Sequence, residues 1–445
     1  MKTRLRDLFD VHTLADEIRI GFVHEGHDMS DPEHHVLCYT PAAQFDRHWN
    51  DVTRNCRGLT ARYAGDIADG SADIDEVADA ICTSRGIPKF FTVDAIATAP
   101  DDSDNIMLSL EDDDEMVAQL RGITVTGSVP VHVADKVDGA MCVSYVTRDG
   151  ALAFHTKGSF ASDEANIANR IIAEYPELTN TLAQIVDAID CTPVFEVVTP
   201  EYLHIVNYDG LETLFYLGLV DNRSGEWTPS ALDTSPLKEA VEDYFPLPET
   251  FAASTLAEAL ELPSRPNREG VVITVFSTPQ RMLKVKYEAF LALQSLKRAS
   301  KATQTELLMQ MLVRNISSVN ELEALPTDEL MALCGIDSEL VEYVEPSMLK
   351  RIALLICGPS IEVANQLREG YQYHFDLVQK LWRDVDEDGH DERTYVTHVL
   401  QNVDAPMRPF AFAAKNLYLN DRRDELSALC ATNVVKHNKK ATTET

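Results

Sequence analysis

The stretch Val131-His132-Val133-Ala134-Asp135-Lys136-Val137-Asp138-Gly139 delivers one lysine and an acidic-glycine turn at the end of a short apolar run. The residues before it and those from Ala140 to Val146 are rich in Val, Met, Cys and Tyr, and read as buried strands with Asp138-Gly139 as the bend between them. A lysine held in such an apolar wall is a candidate nucleophile, because desolvation and neighbouring cations both disfavour its ammonium form. In water, with a pKa of about 10.4, only on the order of one lysine in a thousand is neutral near pH 7, so the site must change that balance. Taken alone, Lys-x-Asp-Gly also recurs by accident as a surface lysine before a hairpin turn.

Other charges sit where the apolar pattern does not call for them. In Val194-Phe195-Glu196-Val197-Val198 one acid interrupts a buried strand, and a carboxylate there needs a ligand or a cation. In Met282-Leu283-Lys284-Val285-Lys286-Tyr287 the strand period of two puts both lysines on one face, where they repel unless an anion lies between them. Glu269-Gly270 leads into the strand Val271 to Val275, and Arg57-Gly58 turns into another. Lys157-Gly158-Ser159 is a cationic turn suited to phosphate oxygens, and Lys89 stands beside Phe90 and Phe91. Each alone is a charge in a loop or at a strand end.

Taken in order, Arg57-Gly58, Lys89, Lys136-x-Asp138-Gly139, Lys157, Glu196, Glu269-Gly270 and Lys284-x-Lys286 resemble the motifs of the covalent nucleotidyltransferase superfamily of polynucleotide ligases and mRNA capping enzymes. Pro88-Lys89-Phe90-Phe91, Thr156-Lys157-Gly158-Ser159 and Phe195-Glu196-Val197-Val198-Thr199-Pro200 narrow the resemblance to the RNA ligase 1 family of tailed phages, over most of residues 35 to 290. The helix-rich remainder resembles that family in type and position, not through motifs. The resemblance implies an α+β fold: a nucleotidyltransferase (ligase adenylation) domain of antiparallel sheets with flanking helices, followed by an all-α C-terminal domain.

It also implies roles. Lys136 would attack the α-phosphate of ATP to give lysyl-AMP. AMP would then pass to an RNA 5′-phosphate, and an RNA 3′-hydroxyl would seal the strand. Lys284 and Lys286 would neutralise the reacting phosphate, and Glu269 and Glu196 would hold the water shell of Mg²⁺ or Mn²⁺. Contact with the ribose is the alternative role of Glu196. Asp138 would fix the lysine loop and assist the 3′-hydroxyl, with Gly139 in the nucleotide-binding turn. Arg57, Lys89 and Lys157 would hold the triphosphate, with Tyr39 among them, while Phe215 or Tyr216 lies near the adenine or in the core. The expected partner is RNA with 5′-phosphate and 3′-hydroxyl ends, with a nicked tRNA as the natural substrate, sealed by a monomer. A DNA ligase or capping guanylyltransferase is the alternative, although those continue into an oligonucleotide-binding barrel and this chain continues into helices. A non-catalytic RNA-binding protein is the alternative of another class.

The positioning elements follow from periodicity. Strands are expected at Leu152 to Thr156, Val194 to Val198, Thr213 to Val220, Val271 to Val275 and Met282 to Tyr287. Between them Ser162 caps a helix from Asp163 to about Tyr175, a second helix spans about Leu178 to Ile189, and a helix-rich excursion covers Pro236 to Leu262. Leu37 to Tyr39 and Phe45 read as pieces of a small sheet, and Asp66 to Asp79 and Asp101 to Asp114 as solvated loop or helix faces. From Phe290 the pattern is helical, with separate segments at Ser347 to Cys357, Ile361 to Arg368 and Tyr371 to Trp382 among others. The expected organisation is an N-terminal module over residues 1–128, the nucleotidyltransferase core over 129–292 and an all-helical domain over 293–445, frayed from Lys436.

Composition bounds the rest. The 445 residues allow two or three domains, and the sequence has neither a membrane-length apolar run nor a secretory signal, so a cytoplasmic protein is expected, in the host cytoplasm if virus-encoded. Eight scattered cysteines without a Cys-x-x-Cys pair read as reduced core thiols. His24, His27, His34 and His35 invite a metal reading, but they lie in loop-like sequence without a fixed ligand set. Asp384 to Gly389 imitates half of a calcium loop but lacks the closing glutamate, with Tyr395 in its place. The net charge of −33, from 72 acids against 39 bases, opposes a nucleic-acid partner at ordinary salt. At molar salt the Debye length is only about 3 Å, so such a surface points to a salt-loving source, and a tailed virus of a halophilic archaeon is expected. RNA would enter through a local basic groove around Lys157, Lys284 and Lys286.

Overall fold

The computed structural model describes residues 2–98, 105–110, 124–202, 204–288, 290–291, 294, 306–334, 346–388 and 391–443. The chain forms two compact units, Met1–Phe290 and Leu291–Thr445.

In chain order the strands of the first unit are β1 (Val23–Asp28), β2 (Asp31–Tyr39), β3 (Arg57–Arg62), β4 (Cys82–Arg85), β5 (Phe91–Thr98), β6 (Asn105–Leu110), β7 (Thr124–Thr126), β8 (Val131–Asp135), β9 (Ala140–Val146), β10 (Leu152–Thr156), β11 (Cys191–Val198), β12 (Thr213–Asp221), β13 (Trp227–Pro229), β14 (Thr250–Phe251), β15 (Gly270–Val275) and β16 (Arg281–Lys286). They make three sheets, ordered β1-β2-β3-β4, β10-β9-β11-β12-β13 and β14-β8-β15-β16-β5-β6-β7. Pairing is antiparallel throughout except between β16 and β5, which run parallel. The third sheet takes strands from both sides of residue 128.

β8 and β9 belong to different sheets. Lys136 to Gly139 is therefore a crossover from one sheet to the next and not a hairpin bend. The reason is that β8 has better partners: it pairs with β15, where Ile273 faces Val133, while β9 lies between β10 and β11.

Each sheet buries its own apolar face. Helices Asp163–Ala173 and Pro176–Ala188 lay Ile167, Ile171, Ile172, Leu178 and Leu182 on the five-stranded sheet, over Phe154, Phe195 and Tyr216. Ser162 caps the first helix through the Ala165 N–H. The expected excursion from Pro236 to Leu262 holds two short helices, Pro236–Val241 and Leu256–Leu260, with β14 between them. Phe45 is not a strand residue; it ends the short helix Pro41–Phe45 and is exposed. The acidic stretch Asp101 to Asp114 lies outside the described residues apart from β6 within it. The histidine-rich N-terminal sequence, loop-like in composition, pairs as the hairpin β1-β2.

In the second unit, one helix, Pro346–Asp388, replaces the three segments expected there. It runs through Gly358, Pro359 and Gly370 because buried contacts on both sides of the breakers, at Cys357, Ile361 and Ala364, outweigh their local cost. Asp384 to Asp388 is the end of this helix, and Asp386 accepts hydrogen bonds from Arg423 and the Tyr418 hydroxyl, whereas Gly389 lies outside the described residues. No described helix is long and apolar enough to cross a membrane.

Phe154 is fully buried and meets the Phe195 ring edge-on at 5.2 Å. Phe154→Ala is expected to cost about 3 to 5 kcal/mol, read as a lower urea midpoint at fixed salt with an unchanged slope.

Candidate active site

The crossover after β8 is held from both sides. The Lys136 backbone N–H donates to the Gly270 carbonyl at 2.8 Å, which fixes it against the start of β15. Asp138 closes the turn: its Oδ2 accepts the N–H groups of Ile205 at 2.7 Å and Val206 at 2.9 Å, and its own N–H donates to the Tyr208 hydroxyl at 2.8 Å. At Gly139 a Cβ would stand 2.5 Å from the Val197 carbonyl oxygen and 2.7 Å from Glu196 Cγ, so only glycine lets the chain pass this close to β11.

The Lys136 ammonium donates to Glu269 Oε2 at 2.8 Å, and Lys286 Nζ lies 3.1 Å from the other oxygen of the same carboxylate. Strand register explains the sharing, because Gly270 faces Lys286 across β15-β16 and brings Glu269 beside it. The anion next to Lys286 is thus the protein's own buried Glu269. Lys284 has no carboxylate partner among the described residues. Its ammonium lies over the Phe90 ring at 4.9 Å, and the Arg57 guanidinium lies over the same ring at 5.6 Å while donating to the Ile87 carbonyl at 3.0 Å.

Arg57, Lys136, Gly139, Lys157, Glu196, Glu269, Lys284 and Lys286 all line one cavity of about 480 Å³, with Phe90, Met141 and Trp227 in its apolar wall. Tyr39 and Lys89 are outside that lining. Lys157 connects to them: it lies over the Tyr39 ring at 5.5 Å and also lines a neighbouring 520 Å³ pocket that contains Tyr39. Lys89 is buried with its ammonium 4.6 Å from the centre of the Trp49 ring and 5.5 Å from that of Tyr39. Asp138 lies behind the crossover, on the backbone of residues 205 and 206.

The charges set one another's protonation. Burial pulls Lys284 down to about 7, helped by Arg57, Lys136, Lys89 and Lys286. Burial also pushes Glu196 up to about 7 against the pull of Lys136. Lys136 departs from the expectation that its surroundings lower its pKa. Burial does act in that direction, but Glu269, Glu196 and Asp138 outweigh it, and the lysine is held above its ordinary value. The free protein therefore presents an ammonium at Lys136. The carboxylates of Glu196 and Glu269 are hard oxygen donors suited to Mg²⁺ or Mn²⁺, and with both Glu269 oxygens on lysines they fit as acceptors for the water shell of such an ion.

Of the two aromatics considered for the adenine, Tyr216 is a core residue, fully buried with its hydroxyl donating to Asp233 at 2.7 Å. Phe215 faces Glu196 in the β11-β12 register and stands 6.2 Å from the Tyr208 ring, outside the cavity lining. Sequence reasoning did not single out Tyr208 or Trp49. Tyr208 is 70 residues from the backbone it holds, so no local pattern marks it.

A family model described as RNA ligase matches residues 55–291. The chain belongs to the RNA ligase family. No curated protein matches it. Among solved structures, this RNA ligase is similar to a protein described as an ATP-dependent DNA ligase from Aquifex aeolicus (13% identity, 89% of each chain covered, TM-score 0.37). It is also similar to an archaeal ATP-dependent RNA ligase (13% identity, 81% of this chain and 79% of that one, TM-score 0.37). A third is a Naegleria gruberi RNA ligase with pyrophosphate (10% identity, 61% of this chain and 98% of that one, TM-score 0.29).

Two outcomes follow from the geometry. Lys284 is charged below about 7 and neutral above it, so the attraction it exerts on an anion in the cavity is lost as pH rises. Lys284→Arg keeps the charge throughout. The ratio of wild-type to Lys284→Arg affinity for ATP, measured by equilibrium binding without metal, should fall by up to about tenfold per pH unit above that value, the comparison cancelling the triphosphate's own titration. Gly139→Ala should abolish nucleotide binding while the far-ultraviolet circular dichroism stays that of the wild type, because the clash is local, against the Val197 carbonyl and Glu196 Cγ where the crossover passes β11.

Proposed function

We propose that this RNA ligase is ATP-dependent and works through a lysyl-AMP intermediate on Lys136. The observation that carries the reading is the cavity itself, where one lysine stands on a shared carboxylate within a wall of Arg57, Lys157, Lys284 and Lys286. In the first step the Lys136 amine attacks the α-phosphorus of ATP, a P–N bond forms, the bond to the β-phosphate oxygen breaks and pyrophosphate leaves. Lys136 must give up a proton first, and drawing Glu269 off the ammonium removes the largest force that retains it. Lys284 and Lys286 stand on the reacting phosphate, where preset positive charge counts most at the transition state. Arg57 and Lys157 hold the rest of the triphosphate, with Tyr39 and Lys89 beyond them.

A bound Mg²⁺ or Mn²⁺ would add positive charge next to Lys136 and the phosphate, favouring the neutral amine and the leaving pyrophosphate. Glu269 and Glu196 would hold its water shell, or Glu196 the ribose. Asp138 keeps the lysine turn closed through its two backbone hydrogen bonds. AMP then moves to an RNA 5′-phosphate, and a 3′-hydroxyl displaces it to seal the strand. The basic wall of the cavity supports RNA as the polymer that reaches the site of so acidic a chain, and the helical second unit is assigned the choice among RNAs, with a nicked tRNA as the substrate. The charge of −33 supports a halophilic source, such as a virus of a salt-loving host, since molar salt would screen repulsion from RNA phosphates.

Incubation with α-labelled ATP and Mg²⁺ or Mn²⁺ should place label covalently on the wild type and not on Lys136→Ala, and RNA with a 5′-phosphate should chase it more readily than DNA. Absence of covalent label at every salt concentration would refute the reading. Labelling and sealing should persist at molar salt; activity confined to about 0.1 M salt would remove the halophilic assignment.

A further inference from the structure

Apart from the cavity, the described residues bring together another group of ligand-type side chains. His27 and His35 are directly opposed across the antiparallel pair β1-β2, which places both imidazoles on one face of the hairpin. Asp66 reaches the same face from the loop after β3. Its Oδ1 lies 3.4 Å from His27 Nδ1 and 4.0 Å from His35 Nδ1, and the three ligand atoms are all within 4.8 Å of one another. Ligands bound tetrahedrally at about 2.0 to 2.1 Å stand roughly 3.3 to 3.4 Å apart, so small side-chain rotations close the set.

The state of His35 shows what the group lacks. The ring is fully buried and stacked on Tyr63 at 3.9 Å. Its Nε2 stands 3.1 Å from the Tyr63 carbonyl oxygen, which can only accept, so Nε2 carries the proton. Nδ1 has no hydrogen-bond partner, and it points at carboxylate oxygens of both Asp66 and Glu25, the latter at 3.4 Å. A lone pair facing two carboxylates needs a cation between them. An imidazole that gives its far N–H to a backbone carbonyl and turns the other nitrogen to an anionic hollow has the outer-shell arrangement of a metal-bound histidine. A second proton on Nδ1 is the competing occupant, and burial opposes it.

We propose that His27, His35 and Asp66 form a binding site for a divalent transition ion of the Zn²⁺ type. Two imidazole nitrogens and one carboxylate suit such an ion and not Mg²⁺, which prefers oxygen ligands throughout. Glu25 supplies charge from behind, because its carboxylate already accepts hydrogen bonds from the Tyr63 hydroxyl at 2.8 Å and the N–H groups of Ile67 at 3.1 Å and Ala68 at 2.9 Å. The fourth position falls to water, since His27 and Asp66 reach the surface. The ion would tie the β1-β2 hairpin to the loop after β3, bracing the sheet in which β2 ends at Tyr39 and β3 begins at Arg57.

The test needs no ligation. The full chain is stripped with EDTA, loaded with Zn²⁺, and desalted in excess Mg²⁺ and high salt to clear purely acidic sites, then its metal content and melting temperature are measured. About one Zn²⁺ per chain is expected in the wild type, with at least tenfold weaker retention in His27→Ala and in Asp66→Ala. Zn²⁺ should raise the melting temperature of the wild type only, while the EDTA-treated proteins melt alike. Co²⁺ should give tetrahedral ligand-field bands that both variants lose. His27→Gln serves as the second histidine variant should His27→Ala melt early in EDTA. A wild type that retains no Zn²⁺ under these conditions, or variants that retain as much as the wild type, would overturn the assignment.

Discussion

One carboxylate shared between two ammonium groups is the constraint on which the rest of the first unit turns. Glu269 is buried, and it holds Lys136 at 2.8 Å with one oxygen and Lys286 at 3.1 Å with the other. A charge in that position is costly unless it is paired, and removing one partner of such a pair typically costs about 3 to 5 kcal/mol. β8, β15 and β16 must therefore keep their register, since a slip of one residue would turn Lys286 to the opposite face and shift Lys136 away from Glu269. The crossover clamped by Asp138 and the passage at Gly139 are fitted around the same point.

The consequence for chemistry is that the pairing which stabilises the resting site also keeps Lys136, the proposed nucleophile, in its charged form. Glu269 holds Lys136 in the charged form, while Lys284, left without a carboxylate, is the lysine whose charge is marginal near neutrality. Two lysines lining one cavity thus have opposite displacements: carboxylates outweigh burial at Lys136, while burial and neighbouring cations act unopposed at Lys284. Under the proposed reading, an incoming triphosphate would offer the cations a second anion and so redistribute Glu269 between them.

The same logic of a charge awaiting a partner recurs in the N-terminal sheet at His35, where a buried imidazole nitrogen meets two carboxylates. There the sequence reads as loop, because Val23 to Asp28 is mostly His, Glu, Gly and Asp and has no apolar alternation. Strand pairing came from the partner, β2, whose run from His34 to Tyr39 is wholly buried. The second unit shows the opposite override: Gly358-Pro359 reads as a break, and packing on both sides carries the helix through it.

What the sequence by itself determined was the set of elements with dense local information and the residue types of the site. Leu152 to Thr156 and Thr213 to Val220 are strands because branched and aromatic side chains leave little other choice, and Ser162 starts a helix because its hydroxyl meets a free backbone N–H. Glu196, Lys284 and Lys286 stood out because a charge inside an apolar strand demands a partner. Tertiary structure alone decided who the partners are. It separated β8 from β9 into two sheets, gave Glu269 to two lysines, kept Tyr216 in the core, and brought Tyr208 to the lysine turn from 70 residues away. Electrostatic balance depends on distances of a few ångströms between residues far apart in the chain, and those distances exist only once the sheets have packed.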